Sequence, residues 1–259
     1  MGTSGKNGVW KKSFDRKLID IHGHAVKVLP KAFLFDHDGV LVKSEKLHEE
    51  AWIATLKNLG LDFDIDLIEW PRLVGLPAPV LLERVFRTYS KNPTLHALSQ
   101  SERDAIAHNK NDAYLTLAQS RLEPMHGARE LLQFLHDQNI PCVVVSNAKT
   151  RELEFSLTTL KLKPYFKAVL SRDDVPAPKP SPLAYLEGAL RCKTQPHLAV
   201  ALDDTPTGLE SALRAKIPAF AIGDTFPAHI LMQPLSDDVQ AKPKGYYLTL
   251  KDLLDDLLA

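Results

Sequence analysis

Cysteine is scarce in this chain of 259 residues: it has two, Cys142 and Cys192, and they are far apart in the sequence. There is no Cys-x-x-Cys pair, so the sequence argues against a disulfide framework and against a cysteine-based zinc site. We therefore expect free thiols in a reducing cytoplasm.

Net charge and long apolar runs are also lacking. Lysine plus arginine and aspartate plus glutamate each number 32, so no global field attracts nucleic acid or an anionic membrane. No apolar run approaches the length of a membrane span, and the N-terminus lacks the apolar segment of a signal peptide. We expect a cytoplasmic monomer that binds neither nucleic acid nor membrane and whose affinity for anions comes from a local site.

Short apolar runs alternate with helical patterns over most of the chain. The run Phe33–Phe35 has no polar alternation, which is typical of a strand buried on both faces. Comparable runs end at Ser146, Ser171, Asp203–Asp204 and Gly223–Asp224. Helical spacing is found over residues 44–60, 67–73, 80–89, 101–117, 129–138, 150–160, 181–191 and 207–216, and a capping box at 249–252 opens a last helix. The pattern predicts an α/β fold with a three-layer, parallel-sheet, Rossmann-like core.

A purely helical stretch follows the first core strand. No strand-like run occurs over residues 46–123, which predicts a helical-bundle cap inserted into a catalytic core formed by 31–45 and 124–259. Residues 1–30 form an N-terminal extension, in which two apolar runs around His22-Gly23-His24 predict a β-hairpin. A turn with incidental histidines is favoured over a metal site there, since no further ligand follows at a suitable spacing.

The carboxyl ends of parallel strands lie at one edge of a sheet, so Asp36, Ser146, Asp203 and Asp204 are expected in one crevice. Carboxylates brought together repel and must protonate or bind a cation, and an all-oxygen ligand set favours Mg²⁺. Other interpretations remain open at this stage. Asp36-His37-Asp38-Gly39 is also a good turn sequence, and Asp204 or Thr205 precedes a predicted helix that it would cap.

Lys179 lies in a proline-rich loop, Pro178-Lys179-Pro180-Ser181-Pro182, that restricts its backbone. Most lysines are solvated surface charges. Beside a carboxylate cluster, however, Lys179 is a candidate to hold a phosphoryl oxygen, with Ser146 and the amides after it donating further hydrogen bonds.

These residues together resemble a known family. The segment Asp36–Leu41, Ser146 at its strand end, Lys179 in Lys-Pro-Ser-Pro and the pair Asp203–Asp204 look like the four ordered motifs of the haloacid dehalogenase-like (HAD) superfamily. Further residues resemble the subfamily of β-phosphoglucomutase-like proteins and sugar-phosphate phosphatases, namely Ser44-Glu45, His48 and Ala51-Trp52. The resemblance extends over residues 31–259.

The resemblance implies a Mg²⁺-dependent enzyme with Asp36 as the nucleophile that forms an aspartyl-phosphate. Asp38 would protonate the leaving oxygen and then activate water, and Lys179 would offset the charge of the phosphoryl group. The implied metal ligands are Asp36, the backbone carbonyl of Asp38 and Asp204, with Asp203 nearby. The implied phosphate-binding residues are Ser146, Asn147, Lys179 and His37. The candidate substrate residues at the cap are Ser44, Glu45, His48, Arg72 and Leu76, whereas Trp52 is assigned to the cap core.

The same resemblance sorts the chemistry. Dehalogenases lack an aspartate at the position of Asp38, so the chain is similar to the members that act on phosphate esters. Mutases of this kind carry an arginine soon after a glycine like Gly75, and Leu76-Pro77-Ala78-Pro79 contains none. We therefore expect hydrolysis of a small phosphorylated metabolite. A sugar-phosphate mutase is the alternative because Asp203 is mutase-like, and a non-catalytic metabolite-binding protein on the same fold is a third hypothesis.

Three departures from the family pattern stand near the site. His37 occupies a position that is usually apolar, Lys43 a position that is often aspartate, and Thr205 a position that is commonly serine. None of them removes a catalytic group.

Overall fold

The computed structural model describes residues 17–19, 25–27 and 29–258. The strands are β1 (Lys17–Ile19), β2 (Ala25–Lys27), β3 (Ala32–Phe35), β4 (Cys142–Val145), β5 (Phe166–Leu170), β6 (Ala199–Asp203), β7 (Ala219–Ile222) and β8 (Gly245–Tyr247). The helices are α1 (Glu45–Lys57), α2 (Ala78–Tyr89), α3 (Pro93–His96), α4 (Gln100–Arg121), α5 (Ala128–Asp137), α6 (Thr150–Thr159), α7 (Leu183–Arg191), α8 (Pro206–Arg214), α9 (Ala228–Leu231) and α10 (Leu250–Leu258).

The main sheet has six strands in the order β5-β4-β3-β6-β7-β8, and every neighbouring pair is parallel. The chain therefore builds one half of the sheet outward from β3 and then crosses back to build the other half from β6. Ligands bind at such a switch point in open α/β sheets, beyond the carboxyl ends of the strands. The predicted parallel α/β fold is confirmed.

The central strands are buried because alternate side chains face two different layers of helices. Phe33 and Phe35 of β3 pack with leucines of α5 and α10 on one face. Leu34, between them, packs on the opposite face with α7 and α8. This explains why the sequence of β3 is apolar without alternation. Fully burying one such side chain contributes about 2 kcal/mol to stability.

Two elements of the core differ from the sequence prediction. Strand β8 was not predicted, because Gly245-Tyr246-Tyr247 is a short run that begins with glycine and follows a proline- and lysine-rich segment. The helix predicted over residues 181–191 begins two residues later, at Leu183, and Pro182 occupies its N-cap position. The predicted capping box of the last helix is present, with Asp252 N donating to Thr249 Oγ1 at 3.1 Å and Thr249 N donating to Asp252 Oδ2 at 2.9 Å.

Near the N-terminus, β1 and β2 pair antiparallel, with Leu18 opposite Val26. The residues that connect them, including His22 and His24, lie outside the described part of the chain.

Helices α1 to α4 lie between β3 and β4 and have apolar contacts of their own. Trp52 of α1 is buried with Leu56, Leu82 and Phe86, as expected of a residue in the core of this segment. The predicted helix at residues 67–73 is replaced by two short 3₁₀ turns, 65–67 and 70–72, the second of which contains Pro71. Proline lacks the N–H that a continuous helix needs.

The two connections between this helical segment and the sheet run side by side. Val42 and Pro124 form an isolated antiparallel bridge. Next to it, Lys43 Nζ lies 2.9 Å from Glu123 Oε2, so the unusual lysine pairs the two connections. These contacts support the predicted division between cap and core, which stays a prediction.

A search of the described residues for a helix long and apolar enough to cross a membrane finds none.

Two glycines with positive φ differ in their surroundings, and this difference predicts different stabilities for their alanine variants. Gly127 (φ +82°) precedes α5, and a Cβ there would collide with the backbone of Lys251, whereas a Cβ at Gly60 (φ +62°) meets nothing within 4 Å. We expect Gly60→Ala to lower the free energy of unfolding by about 1 kcal/mol from backbone strain alone. We expect Gly127→Ala to lower it by about 3 kcal/mol or more, since overpacking adds to the strain. Urea unfolding of both variants tests this, and equal losses would contradict the close contact between Gly127 and the backbone of Lys251.

Candidate active site

The acidic residues of the candidate site lie where two neighbouring strands end. Asp36 directly follows β3, Asp203 is the last residue of β6, and Asp204 comes next. The strands β3 and β6 are paired, with Phe35 opposite Leu202, so the ends of both strands reach the same point. Ser146, at the end of β4, lies on the other side of β3. The predicted convergence of these four residues at one edge of the sheet is observed.

Asp36 is held by both its backbone and its side chain. Its N–H donates to Leu202 O at 2.8 Å, and its Oδ1 lies 2.9 Å from Lys179 Nζ. Burial raises the pKa of this carboxyl to about 7, because the opposing charge of Lys179 offsets the loss of water only in part and the charges of Asp203 and Asp38 add to the rise.

Asp203 is fully buried and its carboxylate is saturated with donors. Oδ1 accepts from Thr205 N at 3.0 Å and from Thr205 Oγ1 at 2.8 Å. Oδ2 accepts from Lys179 Nζ at 2.8 Å and from Tyr185 Oη at 2.7 Å. Four hydrogen-bond donors from this chain thus satisfy both oxygens of the Asp203 carboxylate. Thr205 also caps α8 by accepting from Gly208 N, so the cap of that helix is the threonine and not Asp204.

Asp204 differs from its neighbour in having an oxygen without a partner. Its Oδ2 accepts a short hydrogen bond from Thr225 Oγ1. Its Oδ1 is buried, and in the part of the chain that the structure describes it has no hydrogen-bond partner. Gly39 packs so closely against this carboxylate that a Cβ would collide with it. Burial, followed by the charges of Asp36 and Asp203, raises the pKa of Asp204 well above its ordinary value.

These carboxylates fit a small hard cation. One oxygen from each of Asp36, Asp203 and Asp204 lies within 4.8 Å of the others. The unpartnered Oδ1 of Asp204 is the atom that a buried site leaves without compensation unless a cation or a proton binds it. A donor set made only of oxygen atoms suits Mg²⁺. The carboxylate of Asp203 is already saturated with donors, which makes that residue a partner of Lys179.

Lys179 is buried among these acids. Its Nζ bridges Asp36 and Asp203, and its backbone N–H donates to Asn147 Oδ1 at 3.0 Å. Burial lowers the pKa of the lysine, but the charges of Asp203 and Asp36 outweigh it and the net shift is upward. Lys179 is therefore a fixed positive charge, and Asn147 holds its loop.

Asp38 points one oxygen at three partners. Its Oδ1 accepts from Ser44 Oγ at 2.5 Å and lies 3.3 Å from His48 Nε2 and 3.1 Å from His37 Nδ1. Burial raises the pKa of this carboxyl, but the charge of His37 and the other contacts outweigh it, so the pKa lies well below its ordinary value. Within the described residues these contacts all go to Oδ1, which leaves Oδ2 as the atom that can exchange a proton.

His37 is directed away from the crevice. Its ring is 1% exposed, and Nε2 lies 2.6 Å from Ser156 Oγ on α6. Because that hydroxyl donates to the backbone carbonyls of Glu152 and Leu153, it accepts from the histidine, which places a proton on Nε2. The ring is thus bonded to Ser156 through Nε2, whereas its buried Nδ1 lies 3.1 Å from Asp38 Oδ1 without forming a hydrogen bond. The phosphate contact predicted for His37 stays a prediction.

Lys110 of α4 was not predicted as a site residue. Its Nζ donates to His48 Nδ1 at 2.7 Å, so His48 Nε2 carries the proton that faces Asp38. His48 also stacks on Tyr114, with ring centroids 4.0 Å apart. The sequence shows Lys110 only as one of many polar residues on a long helix, so no local pattern could have identified it.

The remaining predicted residues divide between the site and the surface. Ser146 is buried and its Oγ accepts from Ala148 N at 3.0 Å. Burial, with the charges of Asp38 and Asp36, raises the pKa of Glu45 to about 8, which indicates that its carboxyl faces the crevice. Arg72, in contrast, is 76% exposed at its side chain and pairs with Glu69 at 2.9 Å. Leu76 packs against the apolar cluster around Trp52.

Comparison with known proteins agrees with the fold and the motifs. Residues 30–216 match the haloacid dehalogenase-like hydrolase family. Fructose-1-phosphate phosphatase YqaB of Escherichia coli is 28% identical over 188 residues, which are 72% of this chain and 93% of that protein. Beta-phosphoglucomutase of Bacillus subtilis is 27% identical over 213 residues, which are 80% of this chain and 91% of that protein.

Among solved structures, CbbY from Rhodobacter sphaeroides in complex with xylulose-(1,5)bisphosphate superposes with a TM-score of 0.73. The match covers 88% of this chain and 99% of that chain at 21% identity. At this level of identity the likeness supports the fold.

The contrast between Asp203 and Asp204 predicts opposite effects of removing their charges in metal-free protein. Because the folded pKa values of Asp204 and Asp36 are raised, the folded state binds more protons than the unfolded state between about pH 4 and pH 7, and stability falls as pH rises through that window. At pH 8 with EDTA, we expect Asp204→Asn to raise the free energy of unfolding by about 2 kcal/mol, with a smaller gain at pH 5. We expect Asp203→Asn to lower it by about 3 to 5 kcal/mol, because it breaks the buried pair with Lys179.

Urea unfolding of both variants at the two pH values measures this. Destabilisation of metal-free protein by Asp204→Asn at pH 8 would contradict the unpartnered state of its Oδ1.

Proposed function

We propose that this chain, which belongs to the haloacid dehalogenase-like hydrolase family and is a phosphoric monoester hydrolase, is a Mg²⁺-dependent phosphatase. Its proposed substrate is a small sugar-phosphate-like monoester, which it hydrolyses through an aspartyl-phosphate on Asp36. The observation that carries the proposal is the pairing of Asp36 Oδ1 with Lys179 at 2.9 Å beside the unpartnered Oδ1 of Asp204. The proposed nucleophile, the positive charge of Lys179 and the proposed metal ligand Asp204 thus lie together at the switch point of the sheet, which supports the proposal.

In the first half of the reaction, a carboxylate oxygen of Asp36 attacks phosphorus. A new P–O bond to Asp36 forms as the bond to the ester oxygen breaks. Asp38 gives the leaving oxygen a proton, which its carboxyl takes up when the negative charge of the bound phosphoryl group raises its pKa. Lys179 offsets negative charge on the phosphoryl group, where electrostatic stabilisation is usually the largest contribution. Ser146 and the backbone amides after β3 and β4 are proposed to hold the remaining phosphoryl oxygens.

In the second half, water attacks phosphorus and gives its proton to Asp38, and the bond to Asp36 breaks to release inorganic phosphate. The depressed pKa of Asp38 suits a residue that stands ready as a base. Ser44 and His48 hydrogen-bond its Oδ1, and His37 Nδ1 also lies near that atom, so Oδ2 is the atom assigned to both proton transfers.

Mg²⁺ would be held by Asp36, Asp204 and the backbone carbonyl of Asp38, and it would supply positive charge to the phosphoryl oxygens. Asp203 would hold Lys179 in place next to these ligands through its ion pair with the lysine Nζ.

The leaving group is proposed to contact the helical segment. The proposed contacts are Glu45 and His48 on α1 and Lys110 on α4, which pairs with His48. Both helices are linked to the strand ends, because His48 contacts Asp38 there. Hydroxyl groups of a sugar or polyol are suitable partners for such polar side chains. The named activity of the fructose-1-phosphate phosphatase relative supports the same substrate class.

A sugar-phosphate mutase is the second candidate, and the similarity to a beta-phosphoglucomutase is the observation that favours it. A mutase must hold a second phosphate. The segment after Gly75 carries no arginine, and Arg72 is paired with Glu69 at the surface. Hydrolysis is therefore preferred.

The first prediction concerns the nucleophile and the metal. With p-nitrophenyl phosphate, we expect phosphate release in Mg²⁺ and none in EDTA, because the carboxylates then lack a compensating cation. Asp36→Asn should lower kcat by about 10⁴-fold or more, since it removes the covalent route. The exposed residue Asp66→Asn, which also replaces one aspartate, is the matched control and should keep full activity. Full activity of Asp36→Asn would contradict the proposal.

The second prediction separates hydrolysis from isomerisation. A panel of hexose, pentose and polyol phosphates is incubated with enzyme and Mg²⁺, with and without a sugar bisphosphate, and the products are separated. We expect inorganic phosphate in equal amount to the dephosphorylated sugar, with no isomeric sugar phosphate. An isomer formed only with the bisphosphate would establish the mutase instead. No turnover, together with a rise in melting temperature by one panel member, would establish a binding protein.

A further inference from the structure

Tyr185 is a buried residue next to Lys179. Neither the four sequence motifs nor the names of the relatives give this tyrosine a role. It lies on α7, six residues after Lys179, and its side chain is fully buried. Its ring packs among apolar residues on the face of the sheet that α7 and α8 cover, and these include Leu34 and Val145. A tyrosine at such a place must find a partner for its hydroxyl.

The partner is the same carboxylate oxygen that Lys179 uses. Tyr185 Oη donates to Asp203 Oδ2 at 2.7 Å, and Lys179 Nζ donates to that atom at 2.8 Å. The ammonium group also lies 5.0 Å from the centroid of the tyrosine ring. Hydroxyl and ammonium therefore share one acceptor, and the ring covers one side of the lysine.

Sharing this oxygen changes what the lysine can do. An oxygen that accepts two strong donors binds each of them less tightly than it would bind one alone. Lys179 has three N–H donors, of which one reaches Asp203 and another reaches Asp36 Oδ1 at 2.9 Å. If the hydroxyl were absent, Asp203 would draw the ammonium away from Asp36, where phosphoryl transfer takes place.

We propose that Tyr185 is a positioning residue for phosphoryl transfer: its hydroxyl shares Asp203 Oδ2 with Lys179 and so keeps the lysine Nζ directed at Asp36 and at the transferring group. This inference rests on the proposed phosphatase function. Tyr185 touches neither the substrate nor the reacting atoms, and it acts only through Asp203 and Lys179.

The test compares Tyr185→Phe with Tyr165→Phe. The first removes the hydroxyl and keeps the ring against Lys179. The second removes a hydroxyl that donates to Gln133 Oε1 at 2.9 Å at the surface, and it serves as the matched control. Three quantities are measured for each: kcat with p-nitrophenyl phosphate, the dissociation constant of inorganic phosphate in Mg²⁺, and the melting-temperature shift caused by Mg²⁺ alone.

For Tyr185→Phe we expect kcat to fall about tenfold and the affinity for inorganic phosphate to weaken about tenfold, as for loss of one charge-assisted hydrogen bond. The shift caused by Mg²⁺ alone should not fall, because the carboxylates of Asp204 and Asp36 remain intact and the ammonium group competes less for Asp36. Tyr165→Phe should match the wild type in all three measurements.

A purely structural role for Tyr185 has a different signature. A lower melting temperature, with kcat and phosphate affinity within twofold of the wild type, would overturn the proposal. So would an equal loss in Tyr165→Phe. If wild-type protein released no phosphate from any ester, the phosphatase function would fail, and the phosphate titration of Tyr185→Phe would still decide the role of the hydroxyl.

Discussion

Excess negative charge in a site that water scarcely reaches is the constraint on which the rest of the structure depends. Oxygens of Asp36, Asp203 and Asp204 lie within 4.8 Å of one another, and the ammonium group of Lys179 bridges Asp36 and Asp203. Like charges in a low dielectric repel strongly, which is why the pKa values of Asp36 and Asp204 are raised. This excess of negative charge suits a cation, in line with the proposed Mg²⁺ dependence.

The fold provides this concentration of charge by aligning strand ends. Strands β3 and β6 are neighbours in a parallel sheet, so residues 167 positions apart in the sequence, Asp36 and Asp203, become adjacent. The apolar strands hold the carboxylates rigidly, because both faces of the sheet are covered by helices. Helices α1, α4 and α7 then contribute the residues that surround the acids, namely His48, Lys110 and Tyr185, together with Ser44 directly before α1.

Much of this could be predicted from the sequence, because apolar runs without alternation mark buried strands and the polar residues at their ends mark one edge of the sheet. Asp36, Asp203 and Asp204 were identified in this way, and Lys179 from its proline-rich loop. The strand pattern alone does not distinguish Asp203 from Asp204, and only the family resemblance names Asp204 as the metal ligand. The structure adds the physical difference, because donors saturate one carboxylate and leave Oδ1 of the other unpartnered. Lys110 and Tyr185 lie on helices whose patterns report packing, and their partners come from distant parts of the chain.

The central claim is that phosphorus is transferred to Asp36. The most direct measurement is rapid acid quenching during turnover of a phosphorylated substrate, followed by mass spectrometry of the peptide that contains residues 33–38. The account predicts a phosphoryl group on Asp36, which accumulates further when Asp38 is replaced by asparagine because water then lacks its base. A phosphoryl group on another carboxylate, or turnover without phosphorylated Asp36 in either enzyme, would contradict it.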